Sequence, residues 1–122
     1  MTSFACDQNT SHYQILAFKP GFLQVNQTVY TQSIILTPSA LYDWAVTTID
    51  ELSIVSLQKI IDIKPALLLI GTGETLIFPD MATYGPLINE GIGVEIMNTA
   101  AACRTFSALS AENRNVAAAL IV

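Results

Sequence analysis

The stretch Ala66-Leu-Leu-Leu-Ile-Gly-Thr-Gly73, followed by Gly93-Val-Glu-Ile-Met-Asn-Thr99 and Val116-Ala-Ala-Ala-Leu-Ile-Val122, decides the fold. Ala66–Ile70 and Val116–Val122 are short apolar runs with the pattern of strands buried on both faces, and Gly93–Met97 reads as another strand. Between them lie two helical segments. Asp80–Asn89 reads as a helix disturbed by Pro86 and stopped by Gly91 in the C-cap role. Asn98 or Thr99 caps a small-residue helix through about Leu109, with Ala102, Phe106 and Leu109 as its apolar stripe. Strand, helix, strand, helix, strand in this half predicts a parallel or mixed sheet covered by helices. Thr75–Phe78 reads as a further short strand after the tight turn Gly71-Thr72-Gly73.

Working back from Ala66, Lys64-Pro65 ends a helix, because the residue before proline is pushed out of the helical region. That helix is expected to start from an N-cap at Ser53 and to present Ile54, Leu57, Ile60 and Ile61 on one face. Asp50-Glu51 supplies negative charge at its approach, which suits the helix dipole. Ser39–Trp44 fits a helical turn or a loop packed by its aromatics. Val29–Leu36 reads as one strand closed by Thr37-Pro38, and Tyr13–Phe18 with Phe22–Val25 as a hairpin around Pro20-Gly21. Residues 1–11 read as a loose polar terminus and 12–122 as a single domain. The expected fold is therefore three-layer α/β, with a mixed central β-sheet flanked by helices and a small N-terminal β-hairpin.

Composition narrows the function classes. The chain has 122 residues, 52% hydrophobic and 12% charged, so it is no disordered polar chain and has one core's worth of apolar residues. Ten acidic against five basic residues, a net charge of −5, argue against binding nucleic-acid backbones. One His and two Cys do not make a zinc site of the usual kind, and no cofactor fingerprint is present. Mean hydropathy is +0.49, yet the longest apolar runs fall far short of the roughly 20 residues a bilayer span needs. The first 18 residues hold no Lys or Arg, and the cytoplasm is the expected location. The high apolar fraction also hints at a homo-oligomer.

The runs Leu67–Glu74 and Gly91–Phe106, with the ending Leu109-Ser-Ala-Glu-Asn-Arg114 and Val116–Val122, resemble one family from about Tyr13 to Val122. It comprises small bacterial domains related to mitochondrial complex I assembly factor 3 and to a human adipogenesis-associated protein. The resemblance implies a three-layer α/β fold, no established catalytic activity, and association with other proteins during complex assembly. Ser107 stands where Asn is expected in many relatives.

Two sites are expected. If the strands ending at Ile70 and Met97 are parallel neighbours, Gly71, Thr72 and Gly73 share a carboxyl edge with Asn98 and Thr99. Free amides at such an edge hold carboxylates or phosphates. Arg104, about one and a half turns into the helix, is the nearby cation; the sequence leaves its reach open. The plainer reading is a tight turn and a helix cap. The second site is Tyr42 with Trp44, either an exposed protein-binding anchor or a small core under a loop. Glu95, inside an apolar strand, is expected to pair with Arg104 or Arg114. Cys103 is expected to be a packed, unreactive thiol, with His12 and Cys6 far off in the terminus. The working function is a non-enzymatic protein-interaction or assembly module. The alternative is a small-molecule (anion or carboxylate) binder, or an enzyme, using the 71–73 and 98–99 edge.

Overall fold

The computed structural model describes residues 13–122; the expected boundary at residue 11, together with Cys6 and His12, lies outside them. The three deciding runs become β6 (Leu67–Gly71), β7 (Gly93–Met97) and β8 (Val116–Leu120). They lie side by side in a five-stranded sheet in the order β5-β4-β8-β6-β7. Strand β6 is parallel to both β7 and β8, whereas β4 (Ile34–Leu36) is antiparallel to β8 and to β5 (Leu41–Asp43). The expected mixed sheet is present.

Helices cover both faces. Leu68 and Ile70 of β6 pack with Leu57 and Ile60 of the segment leading into and forming α1 (Gln58–Ile63), and with Leu87 of α2 (Met81–Asn89). Leu69 points the other way, into Ala102, Cys103 and Phe106 of α3 (Thr99–Ala111). The alternation follows from the two-residue period of a strand. Every residue of β8 is buried, and three of its five are Ala, so that layers on both faces can approach closely. A second sheet, β1 (Ile15–Lys19), β2 (Phe22–Val25) and β3 (Thr28–Tyr30), is antiparallel and packs Leu23 and Val25 on the α3 side.

Several local expectations are corrected. Residues 29–36 are two strands in different sheets, broken at exposed Thr31 and Gln32, so the hairpin gains a third strand. The turn before β3 has Asn26 at φ 53, a conformation asparagine tolerates, and its Oδ1 accepts from the Gln14 N–H at 2.9 Å. Helix α1 begins at Gln58 and not after Ser53. Ser53 and Ser56 instead exchange hydrogen bonds, each backbone N–H donating to the other's hydroxyl, and hold a turn in place of helix. The Ser39–Trp44 segment contains the short strand β5, so neither alternative read there was the one adopted.

Asp50-Glu51 belong to a 3-10 turn, Ile49–Glu51. The Glu51 carboxylate accepts from the Thr47 N–H (2.6 Å), the Thr47 hydroxyl (2.9 Å) and the Thr48 N–H (3.4 Å). These bonds, the Thr47 backbone N–H foremost, hold its carboxyl below the usual range. Residues 75–78 form no strand. The Thr72 hydroxyl donates to the Thr75 carbonyl (2.7 Å) and accepts from the Ile77 N–H (3.2 Å), so a side chain occupies groups a ladder would use.

Candidate functional site

Helix α2, which follows β6, lies on one face of the sheet, and α3, which follows β7, lies on the other. The carboxyl ends of β6 and β7 are therefore a topological switch point, the place where open α/β sheets form a crevice. Gly71, Thr72, Gly73, Asn98 and Thr99 do meet there. Hydrogen bonds draw the two turns together, and Thr72 and Gly73 also line the recess that runs along this edge. The Thr99 N–H donates to the Gly73 carbonyl at 2.9 Å, and the Thr72 N–H to the Met97 carbonyl at 2.9 Å. Thr99, fully buried, accepts at Oγ1 from the Gly73 N–H at 2.8 Å and donates to the Ile121 carbonyl at 2.7 Å. Asn98 caps α3 by accepting from the Ala101 N–H at 2.9 Å. A Cβ on Gly71 would stand 2.9 Å from Thr99 Oγ1 and 3.0 Å from its Cα, so glycine is what lets the helix start this close. The Gly73 and Thr99 amides, the two donors an anion there requires, are already bonded.

Arg104 does not reach this edge. It is exposed on α3 beside a groove of about 400 Å³ against Leu16, Ala17 and Phe18 of β1. Glu95 is exposed, and neither ion pair among the described residues includes it: these are Lys64–Glu90 (3.8 Å) and Arg114–Glu112 (3.7 Å). The expected pairing with Arg104 or Arg114 is corrected because β7 is an edge strand, where a carboxylate keeps its water.

Trp44 is buried in the core cluster that also holds Ile35, Leu68 and Ile70, its indole N–H donating to the Ser56 carbonyl at 2.8 Å, so it is neither an exposed anchor nor part of a separate small core under a loop. Tyr42 is half-buried with the Lys59 ammonium 4.7 Å from its ring centre. Cys103 is a free buried thiol whose pKa burial pushes up to about 12, the Arg104 charge acting weakly the other way. In a Cys6→Ser background, native Cys103 is expected to resist iodoacetamide at pH about 8, while the urea-unfolded chain is labelled on the order of a hundredfold faster. Equal rates would mean an activated thiol.

The residues the sequence reading missed lie just past the turn. Leu76, Ile77 and Phe78, with Met81 at the start of α2, are exposed by 45%, 46%, 69% and 65%. They protrude consecutively, which makes a patch and not scattered apolar exposure. Ile77 and Phe78 line a recess of about 250 Å³ with Ile49, Asp50 and Asp80. A second recess of about 450 Å³, with Asp50, Glu74 and Ile77 in its wall, adjoins it along the carboxyl edge. The signal was present in Leu76-Ile-Phe-Pro79: an apolar run with no alternation, placed directly before the Asp80 cap, is too short to be both strand and connection. Among the described residues no cluster of His, Cys, Asp and Glu is arranged to hold a metal, and no helix is long and apolar enough to cross a membrane.

Fold and site together define a small three-layer α/β domain with a mixed sheet, a switch point whose turns are bonded to each other, and an exposed apolar stretch beside it. The chain belongs to the family described as a protein of unknown function (DUF498/DUF598), whose model matches residues 15–121. A zebrafish (Danio rerio) relative named NADH dehydrogenase [ubiquinone] 1 alpha subcomplex assembly factor 3 is 34% identical over 88% of this chain and 63% of its own. This chain thus spans less than two thirds of that protein. A 13 kDa major membrane protein of Francisella tularensis is 29% identical over 83% of this chain and 84% of its own. A crystal structure of a Bordetella parapertussis protein superposes with a TM-score of 0.85 at 33% identity, covering 91% of this chain and 96% of that one. The assembly-factor resemblance and the α/β fold expected from the sequence both hold.

Proposed function

We propose that this chain is a non-enzymatic protein-interaction module with an assembly-factor-like role, and that it binds its partner through Leu76–Phe78 and Met81. The observation that carries the reading is the exposure of these four large apolar side chains in one short stretch beside a sheet edge. The name of the zebrafish relative, an assembly factor, supports a role exercised on other proteins. The anion-binding reading of the 71–73 and 98–99 turns finds its amides engaged and the carboxylates of Asp50 and Glu74 in the adjoining wall. A cytoplasmic setting is part of the proposal.

The test is site-specific photo-crosslinking in living cells. With p-benzoylphenylalanine in place of Phe78, one discrete protein adduct is expected. The same residue in place of Val29, 46% exposed on the other sheet, should give none. Equal adducts at both positions, or none at 78, would reject this face.

A further inference from the structure

The exposed stretch has an electrostatic setting that says what kind of partner it takes. The two recesses along the carboxyl edge share Ile49, Asp50 and Ile77, so they form one continuous groove. Among the described residues its wall carries three exposed carboxylates, Asp50, Glu74 and Asp80, and no Lys, Arg or His. None of the three is in an ion pair among the described residues. Four of the chain's five cations are placed elsewhere, and Lys19, between the wall residues Phe18 and Pro20, holds its ammonium over the Phe22 ring. Lys59 lies over Tyr42, Lys64 at Glu90, Arg114 at Glu112, and Arg104 in the groove beside β1. An apolar floor rimmed by uncompensated negative charge complements a segment with the same layout and opposite sign.

Resting on the interaction reading above, we propose that the occupant of this groove is a cationic amphipathic polypeptide segment of the partner protein. Its apolar side chains pack on Ile77, Phe78 and Met81, and its Lys or Arg side chains face Asp50, Glu74 and Asp80. A second copy of this chain is a poor fit, because a net charge of −5 and the same carboxylates would be brought against themselves. An anionic lipid surface is repelled by the same three groups.

The experiment pans a random-peptide phage library on the immobilised full chain, in parallel on a Phe78→Ser variant and on an Asp50→Asn, Asp80→Asn double variant. Asparagine caps helices as well as aspartate, so α2 keeps its start and circular dichroism should be unchanged. Peptides that interleave Lys or Arg with Leu, Ile or Phe should be enriched on the wild type and lost on Phe78→Ser. Their affinity should fall at least about tenfold on the double Asn variant and weaken with added salt. Neutral or acidic peptides that need Phe78 but ignore the Asn substitutions would overturn the cationic partner and leave the docking face standing. Absence of any Phe78-dependent peptide would overturn the proposal, and with no crosslink at 78 the interaction reading falls too. Phe78-dependent sedimentation with phosphatidylcholine or phosphatidylglycerol vesicles, without peptide enrichment, would overturn it in favour of a membrane surface.

Discussion

Trp44→Ala is expected to lower the unfolding free energy by about 3–5 kcal/mol, the range for removing a large buried aromatic. The indole is 6% exposed and packs in the cluster that holds Val46, Ile49, Leu52 and Leu57. Two losses add: a cavity in that cluster, and a Ser56 carbonyl deprived of the indole N–H it accepts from at 2.8 Å. Urea denaturation followed by far-ultraviolet circular dichroism measures the effect, since the variant has no tryptophan left to report. Tyr42→Ala, at a half-buried position, should cost less. A near-native midpoint for Trp44→Ala, with partner binding lost, would restore Trp44 as a surface anchor and displace the 76–81 face.

The second large effect concerns the switch point. Thr99→Val keeps the shape of the side chain and removes its hydroxyl, so it isolates the hydrogen bonds from the packing. The Ile121 carbonyl then loses its 2.7 Å donor and the Gly73 N–H its 2.8 Å acceptor. Unsatisfied groups of this kind cost about 1–3 kcal/mol each, giving about 2–6 kcal/mol in all. Thr99→Ser retains the hydroxyl and should recover most of that. If Thr99→Val proves neutral, the Thr99 hydroxyl does not hold β6, β8 and α3 together. The crevice would then be open enough for Gly73 and Thr99 to bind a ligand, and the anion reading would return.

Much of the fold was legible because the signals are local. Apolar runs of four or five residues, the Asn98 and Asp80 caps, Pro65 and Gly91 each act within a turn or two of themselves, and each ended or began an element about where expected. The failures share a cause. Ser53 looked like a helix cap, but Ser56 offered it a competing partner three residues on. Thr75–Phe78 looked like a strand, but the Thr72 hydroxyl took the Thr75 carbonyl and the Ile77 N–H. Glu95 looked buried because its neighbours Val94 and Ile96 are apolar, but burial depends on which strand stands at the edge.

By itself, then, the sequence determined the α/β class, the strands β6, β7 and β8, the two helices between them and the acidic, weakly charged composition. Short-range periodicity and capping chemistry are enough for that. Only the tertiary structure decided what the glycine turn is for and where the molecule is apolar on its outside. The Thr99 hydroxyl reaches a carbonyl 22 positions away and an amide 26 positions away. Whether Ile77 and Phe78 are covered depends on whether any other layer crosses the carboxyl edge. Those contacts exist only after the sheet order is set, and a pattern confined to neighbouring residues carries no record of them.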